Sequence, residues 1–302
     1  MSIESLERLA ASQHAVFTAS QATSENVTPR QLAYYAEPGR RWVHVGPAVY
    51  WVPRLGGGWR RRLMAAQLWA GSDATLSGQS AAAIIDLDGA DRRAVELCLP
   101  RRKRAPNGWT TRLRQVPPER VWVTEGLRHT DPLTTLTDLA AAPDDDPWEW
   151  ALESALRRGL VDLAAVEASR LKRIRRVLAK RPSGCEATGS MLETQFVQLS
   201  RTVAVAPLVR QYPVWGPDRI EARLDLCWPQ LGLFIEIDGA WHLSSGAQDY
   251  DRHRSNEVVS LLGWRPLRYR SADIRQRPRY TARKLEEAYL RACSGVWGRP
   301  RT

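Results

Sequence analysis

The sequence predicts an α/β protein built in three parts. Helix-prone and strand-prone stretches alternate along all 302 residues. Two apolar, β-prone runs flank Pro229-Gln230-Leu231-Gly232 within Arg223–His242 and read as a hairpin. Pro182-Ser183-Gly184 marks the clearest break in the chain. The expected parts are residues 1–53, residues 54–182 and residues 183–302.

The first part reads as a helical unit closed by a hairpin. Ile3, Leu6 and Leu9 follow a helical spacing. Thr18 can cap a short helix through Ala22. Thr28-Pro29 starts another, Arg30 to Glu37, which ends before Pro38-Gly39. R-W-V-H-V-G-P-A-V-Y-W-V-P then alternates around Gly46-Pro47 as two strands and a turn. Three helices and a hairpin follow the winged helix-turn-helix order. In that layout Arg30, Gln31 and Tyr34 face a DNA groove, while Arg40 and Arg41 reach phosphates. The alternative is a helical cap that touches no DNA.

The middle part, mixed α+β, says least about function. Helices are expected over Leu63 to Trp69, Ser80 to Ile85 and from Thr130-Asp131-Pro132 to Leu139. Ala94–Leu99 and Val121–Val123 read as strands. Asp144-Asp145-Asp146-Pro147 starts a helix over Trp148 to Arg158, its acidic end suiting the helix dipole. A further helix follows Asp162. Its tail carries Arg170, Lys172, Arg173, Arg175, Arg176, Lys180 and Arg181, either a stripe for a DNA backbone or a solvated linker.

The third part reads α-β-β-β-α-β-α. Helices are expected over Ser190 to Leu199, Tyr250 to Leu262 and Tyr280–Ala292. Strands are expected over Leu208–Val214, Ile220–Trp228, Leu233–Asp238 and Trp264–Tyr269. A turn centred between Gln230 and Leu231 sets Asp225 opposite Glu236. Glu236 and Asp238 are two apart and share a sheet face. Opposed Cβ atoms lie about 4.5–5.5 Å apart, so like charges repel there unless a cation intervenes. Oxygen donors suit Mg²⁺ or Mn²⁺.

Glu193, on the helix that opens this part, can add a fourth carboxylate or simply face water. Asp225 and Glu236 are the expected direct ligands, and Asp238 a ligand or water-orienting group; Asp238-Gly239 also suits a strand-ending turn. A neutral His242 can move a proton or be structural. Arg252, Arg254 and Arg268 can clamp phosphate or form ion pairs. Such a site would hydrolyse a phosphodiester, with divalent ions neutralising phosphate charge and activating water.

The formal net charge is +11 and the pI about 10.0, which favours a polyanion partner; an arginine-rich genome gives the same composition. The four cysteines are far apart, so zinc fingers and disulfide scaffolds are not expected and a reducing cytoplasm fits. There is no signal-peptide core and no 18-residue apolar run, so no membrane span is expected. No phosphate loop, nucleophile elbow or H-E-x-x-H competes with the acidic hairpin.

Residues Ser190–Glu193, Arg223–Pro229, Phe234–His242, Asp251–Asn256 and Gly263–Tyr269 resemble, in order, the domains related to very-short-patch-repair endonucleases, within the PD-(D/E)XK nuclease-like superfamily. The resemblance covers about 100 residues and implies a restriction-endonuclease-like α/β core. It implies that Glu193, Asp225 and the Glu236–Asp238 strand carry the metal site, with His242 for proton transfer. Asp238 stands where the superfamily pattern has lysine. Val16–Ala22, Thr28–Leu32, Arg40–Tyr50, Thr75–Ala82 and Gly126–Ala140 resemble AbiEi-type antitoxin proteins, which implies a DNA-binding winged helix, often of a repressor. The expectation is a nucleoid-associated DNA-binding protein with a divalent-metal-dependent endonuclease domain. Its rival is an AbiEi-type regulator or antitoxin whose nuclease-like domain is inactive. A homodimer, and a toxin or repair partner, stay open.

Overall fold

A computed structural model describes residues 3–215, 220–238 and 262–295. The chain is mixed α/β and divides into two compact units, Met1–Pro143 and Asp144–Thr302. The break expected at residue 182 therefore falls inside the second unit. Among the described residues no helix is long and apolar enough to cross a membrane.

The first unit opens with α1 (Ile3–Ser12), β1 (Val16–Thr18), α2 (Ala19–Ser24), α3 (Pro29–Tyr35), β2 (Val43–Gly46) and β3 (Val49–Trp51). The strands form one sheet in the order β1-β3-β2. Both short helices start with a capping box, Thr18 with Gln21 and Thr28 with Gln31, which satisfies their first free N–H groups. Leu6, Ala10, Phe17, Leu32, Trp42 and Val52 make the core. Buried among them, Glu7 accepts from Arg41 through both carboxylate oxygens, at 2.5 and 2.7 Å, and from Trp42 Nε1 at 3.1 Å; Arg54 also pairs with it.

The rest of this unit is a five-stranded sheet with three helices. The strands are β4 (Thr75–Leu76), β5 (Glu96–Leu99), β6 (Thr110–Leu113), β7 (Val121–Thr124) and β8 (Leu127–Thr130), in the order β6-β5-β4-β8-β7. The helices are α4 (Arg60–Ala70), α5 (Gly78–Ile84) and α6 (Pro132–Leu139). Asp138 on α6 binds Arg114 through both oxygens, at 2.6 and 2.7 Å.

The second unit begins with α7 (Asp145–Arg157), α8 (Leu163–Glu167) and α9 (Lys172–Leu178). The single helix expected after Asp162 is thus two. Then come α10 (Met191–Ser200), β9 (Val209–Trp215), β10 (Ile220–Trp228), β11 (Leu233–Asp238), β12 (Arg265–Arg270), α11 (Ser271–Gln276) and α12 (Pro278–Cys293). The sheet order is β12-β11-β10-β9, with β11 and β12 parallel and the other pairs antiparallel. Each edge strand contains a proline, Pro213 in β9 and Pro266 in β12.

The sheet is buried on both faces. Leu226, Trp228, Leu233 and Ile235 pack with Phe196, Leu199 and Leu285. Cys227 and Phe234 join Val214, Leu224 and Trp264 in a second cluster. This explains why L-C-W and L-F-I read as unbroken apolar runs rather than as a polar alternation. The helix expected over Tyr250 to Leu262 lies, Leu262 apart, outside the described residues.

Candidate active site

Four of the expected site residues lie on three elements: Glu193 on α10, Asp225 on β10, and Glu236 and Asp238 on β11. The β10–β11 ladder pairs Trp228 with Leu233, Cys227 with Phe234 and Leu226 with Ile235. The ladder pairing ends there, and Asp225 and Glu236 are the next residue on each strand. Successive strand residues alternate faces, so Glu236 and Asp238 share the Phe234 side. On the other flank of β10, the pairs Leu224–Tyr212 and Leu226–Arg210 bracket Asp225 and put Gln211 across from it.

Glu193 enters from α10. Ser190 caps that helix by accepting from the Glu193 N–H at 3.2 Å. The Glu193 carboxylate folds back to accept from the Gly189 N–H at 2.6 Å and from Gln211 Nε2 at 3.3 Å. A Cβ at residue 189 would stand 2.9 Å from Glu193 Oε1, so a larger residue there would push the carboxylate aside. Glu193 is 6% exposed. Burial, and then the nearby charge of Asp225, push its pKa up to about 7; the Gly189 N–H and Ser190 hydroxyl oppose that rise. Near neutral pH this carboxyl is poised between its acid and its base.

Gln211 has φ +50, rare for a residue with a side chain. It lies within a strand, beside Asp225 and bonded to Glu193. Held backbone strain of this kind concentrates at functional sites. The sequence reading did not single out Gln211 or Gly189. Only the Gly-Ser pair before an apolar helix hints at the second.

Glu236 is held by Arg268, whose Nε donates to it at 2.6 Å. The parallel β11–β12 register sets these two residues side by side, and Asp238 beside Arg270. Bonding to Glu236 raises the Arg268 pKa, and Asp238 adds to the effect. Asp238 is exposed. Arg268 is more than half exposed, so the pair is open to water. The donors along the ladder are all oxygens, a set that suits Mg²⁺ or Mn²⁺. Among the described residues, however, no three His, Cys, Asp or Glu side chains are grouped closely enough to hold a metal ion. His242, Arg252 and Arg254 lie outside the described residues.

In the first unit, Arg30, Gln31 and Tyr34 are all exposed on α3. Gln31 is also the capping partner of Thr28, its side chain accepting from the Thr28 N–H at 2.9 Å. Arg40 stacks on Tyr34, 3.8 Å from the ring centroid, and donates to Glu37 at 2.6 Å. Arg41, expected to reach phosphate, holds the buried Glu7 instead of standing free. The basic tail of the second unit is likewise engaged: Arg173, Arg176 and Lys180 converge on Asp145, and Arg181 reaches the buried Glu153.

No family model, curated protein or solved structure matches this chain.

Proposed function

We propose that the chain is a DNA-binding protein whose second unit is an endonuclease-like domain that hydrolyses DNA phosphodiester bonds with Mg²⁺ or Mn²⁺. One observation carries the reading. Asp225 on β10 lies close enough to Glu193 on α10 to raise its pKa, and the neighbouring strand β11 carries Glu236 and Asp238 just past the last ladder pair, Leu226–Ile235. Asp225, Glu236 and Asp238, with Glu193, are the groups that would hold the ion. A bound divalent ion neutralises charge on the scissile phosphate and acidifies a coordinated water. Glu193, poised near pH 7, can exchange a proton with that surrounding, and His242 is the second proton-transfer candidate. Arg268 is exposed beside the carboxylates and suits a phosphate oxygen.

The DNA-binding half of the reading rests on the first unit. The order α1-β1-α2-α3-β2-β3 with a β1-β3-β2 sheet is compatible with the winged helix-turn-helix reading, in which α3 would be the groove-reading helix. Arg30, Gln31 and Tyr34 are the exposed residues there.

A second reading has an observation of its own. Glu236 is tied to Arg268, and no described group of three ligating side chains is assembled. That favours an AbiEi-type regulator whose nuclease-like domain is catalytically inactive. Purified protein incubated with single-stranded, double-stranded and mismatched DNA separates the two. The nuclease reading expects cleavage that needs Mg²⁺ or Mn²⁺ and is lost in Asp225→Ala, with DNA binding retained. No cleavage, together with a shift of its own promoter fragment, supports the regulator.

A further inference from the structure

We infer that a second surface of the first unit, where Arg61 and Arg62 on α4 meet Trp51 on β3, binds the phosphodiester backbone of duplex DNA. The inference rests on the DNA-binding reading above, and it adds to α3 a contact that reads no base sequence.

Charge is the first ground. The stretch Pro38–Ser72 holds six arginines and no aspartate or glutamate. Four of the six take carboxylates from outside it: Arg40 takes Glu37, Arg41 and Arg54 share Glu7, and Arg60 takes Glu125. Among the described residues Arg61 and Arg62 take no carboxylate, and neither side chain donates a hydrogen bond. Arg62 is exposed and Arg61 half-buried. Burial, and then the charge of Arg62, lower the Arg61 pKa, and no carboxylate offsets them. Two like charges thus stand close together and unneutralised.

Placement is the second ground. The Arg61 guanidinium lies on the Trp51 ring, 3.8 Å from its centroid. The indole is itself anchored, its Nε1 donating to the Gly56 carbonyl at 2.8 Å. Gly56, Gly57 and Gly58, which lead from β3 towards α4, all have positive φ, and a Cβ at residue 57 would collide with the His14 carbonyl oxygen. Solvation alone would leave Arg61 free to swing; the stack holds it. A guanidinium flat on a ring keeps its in-plane N–H donors at the rim and loses less freedom on meeting a partner. Closely spaced anionic oxygens that only accept match two such neighbours, and a phosphodiester backbone presents them in series. α4 packs against the same β1-β3-β2 sheet that carries the proposed winged helix, so the pair belongs to that module.

Fluorescence anisotropy of the full chain with two labelled duplexes of unrelated sequence, between 50 and 200 mM salt, tests this. Arg61→Gln combined with Arg62→Gln should weaken binding to both duplexes about tenfold or more. It should also flatten the slope of log affinity against log salt by about one to two, since each lost phosphate contact removes about 0.9. Trp51→Leu leaves the charge unchanged and should weaken binding about threefold. Arg283→Gln combined with Arg291→Gln, both exposed on α12, removes the same charge and should do neither. Circular dichroism verifies folding; if Trp51→Leu is unfolded, Arg61→Lys, which keeps the charge but not the flat stack, replaces it. A parent chain without salt-dependent binding sinks the DNA reading and this inference with it. If the parent binds and Arg30→Gln weakens it while the Arg61 and Arg62 pair does not, the DNA reading stands and this inference is overturned. A loss equalled by the α12 pair, or confined to one duplex, overturns it as well.

Discussion

Glu193 shows how a single residue can be both read and misread. Its sequence position invites two readings, water-facing or site-facing, and burial beside a carboxylate neighbour excludes the first. The consequence for stability has a definite sign. Its folded pKa, about 7, lies above the ordinary 4.5, so the folded chain holds this proton more tightly than the unfolded chain. The advantage is complete below pH 4.5 and is lost as pH rises through about 7, a change of about 3 kcal/mol at most. Glu193→Gln keeps an acceptor for the Gly189 N–H and removes the titration. Urea denaturation should therefore show the variant gaining stability relative to the parent between pH 5 and pH 8. A constant difference across that range contradicts the assignment. Other residues here were beyond sequence reading. Glu7 occupies a helix position that looks solvated, because its three partners come from residues more than thirty positions away. Gln211 adopts a left-handed backbone that only tertiary packing can impose.

Elements with strong local signals were legible. The acidic hairpin lies where its apolar runs and turn put it, β10 and β11 matching the expected strands end to end. Capping residues located α2 and α3 to within a residue or two at their starts, and apolar spacing did the same for α10. Elements with weak signals were not. β1 is three residues, too short for an alternation, and exists because β3 pairs with it. α8 and α9 read as one helix after Asp162, yet the chain breaks between them, and the α9 cations Arg173 and Arg176 pair with Asp145. The same long-range pairing fixes α7 to the sheet. Glu153 is wholly buried on α7 and accepts from Arg210 on β9 at 2.6 Å, from Arg181 at 3.2 Å and from the Thr188 N–H at 3.1 Å. Glu153→Ala strands a buried arginine and should cost about 3–5 kcal/mol, read as a lower urea midpoint. Glu153→Gln, which keeps an acceptor, should cost less.

For the whole molecule, composition gave the class and the charge but not the division. A Pro-Ser-Gly break at residue 182 looks like a boundary, yet the compact units part at Pro143, and α7 is tied to Arg201 after α10 and to Arg210 on β9 by ion pairs that no local pattern encodes. The net charge of +11 makes one measurement decisive for nucleic-acid binding. If phosphates are the partner, affinity for duplex DNA should fall steeply and log-linearly with salt, losing about three decades or more between 50 and 200 mM if six or more contacts form. A flat response contradicts DNA as the partner of either unit. The second unit's sheet sets a last constraint. Prolines persist within strands where the absent donor points away from the neighbour. With Pro213 on one margin and Pro266 on the other, a ribbon from a second copy would find a missing rung on either side. Self-association, where it occurs, is thereby steered toward helical or loop surfaces, and runaway edge-on stacking is discouraged at both borders.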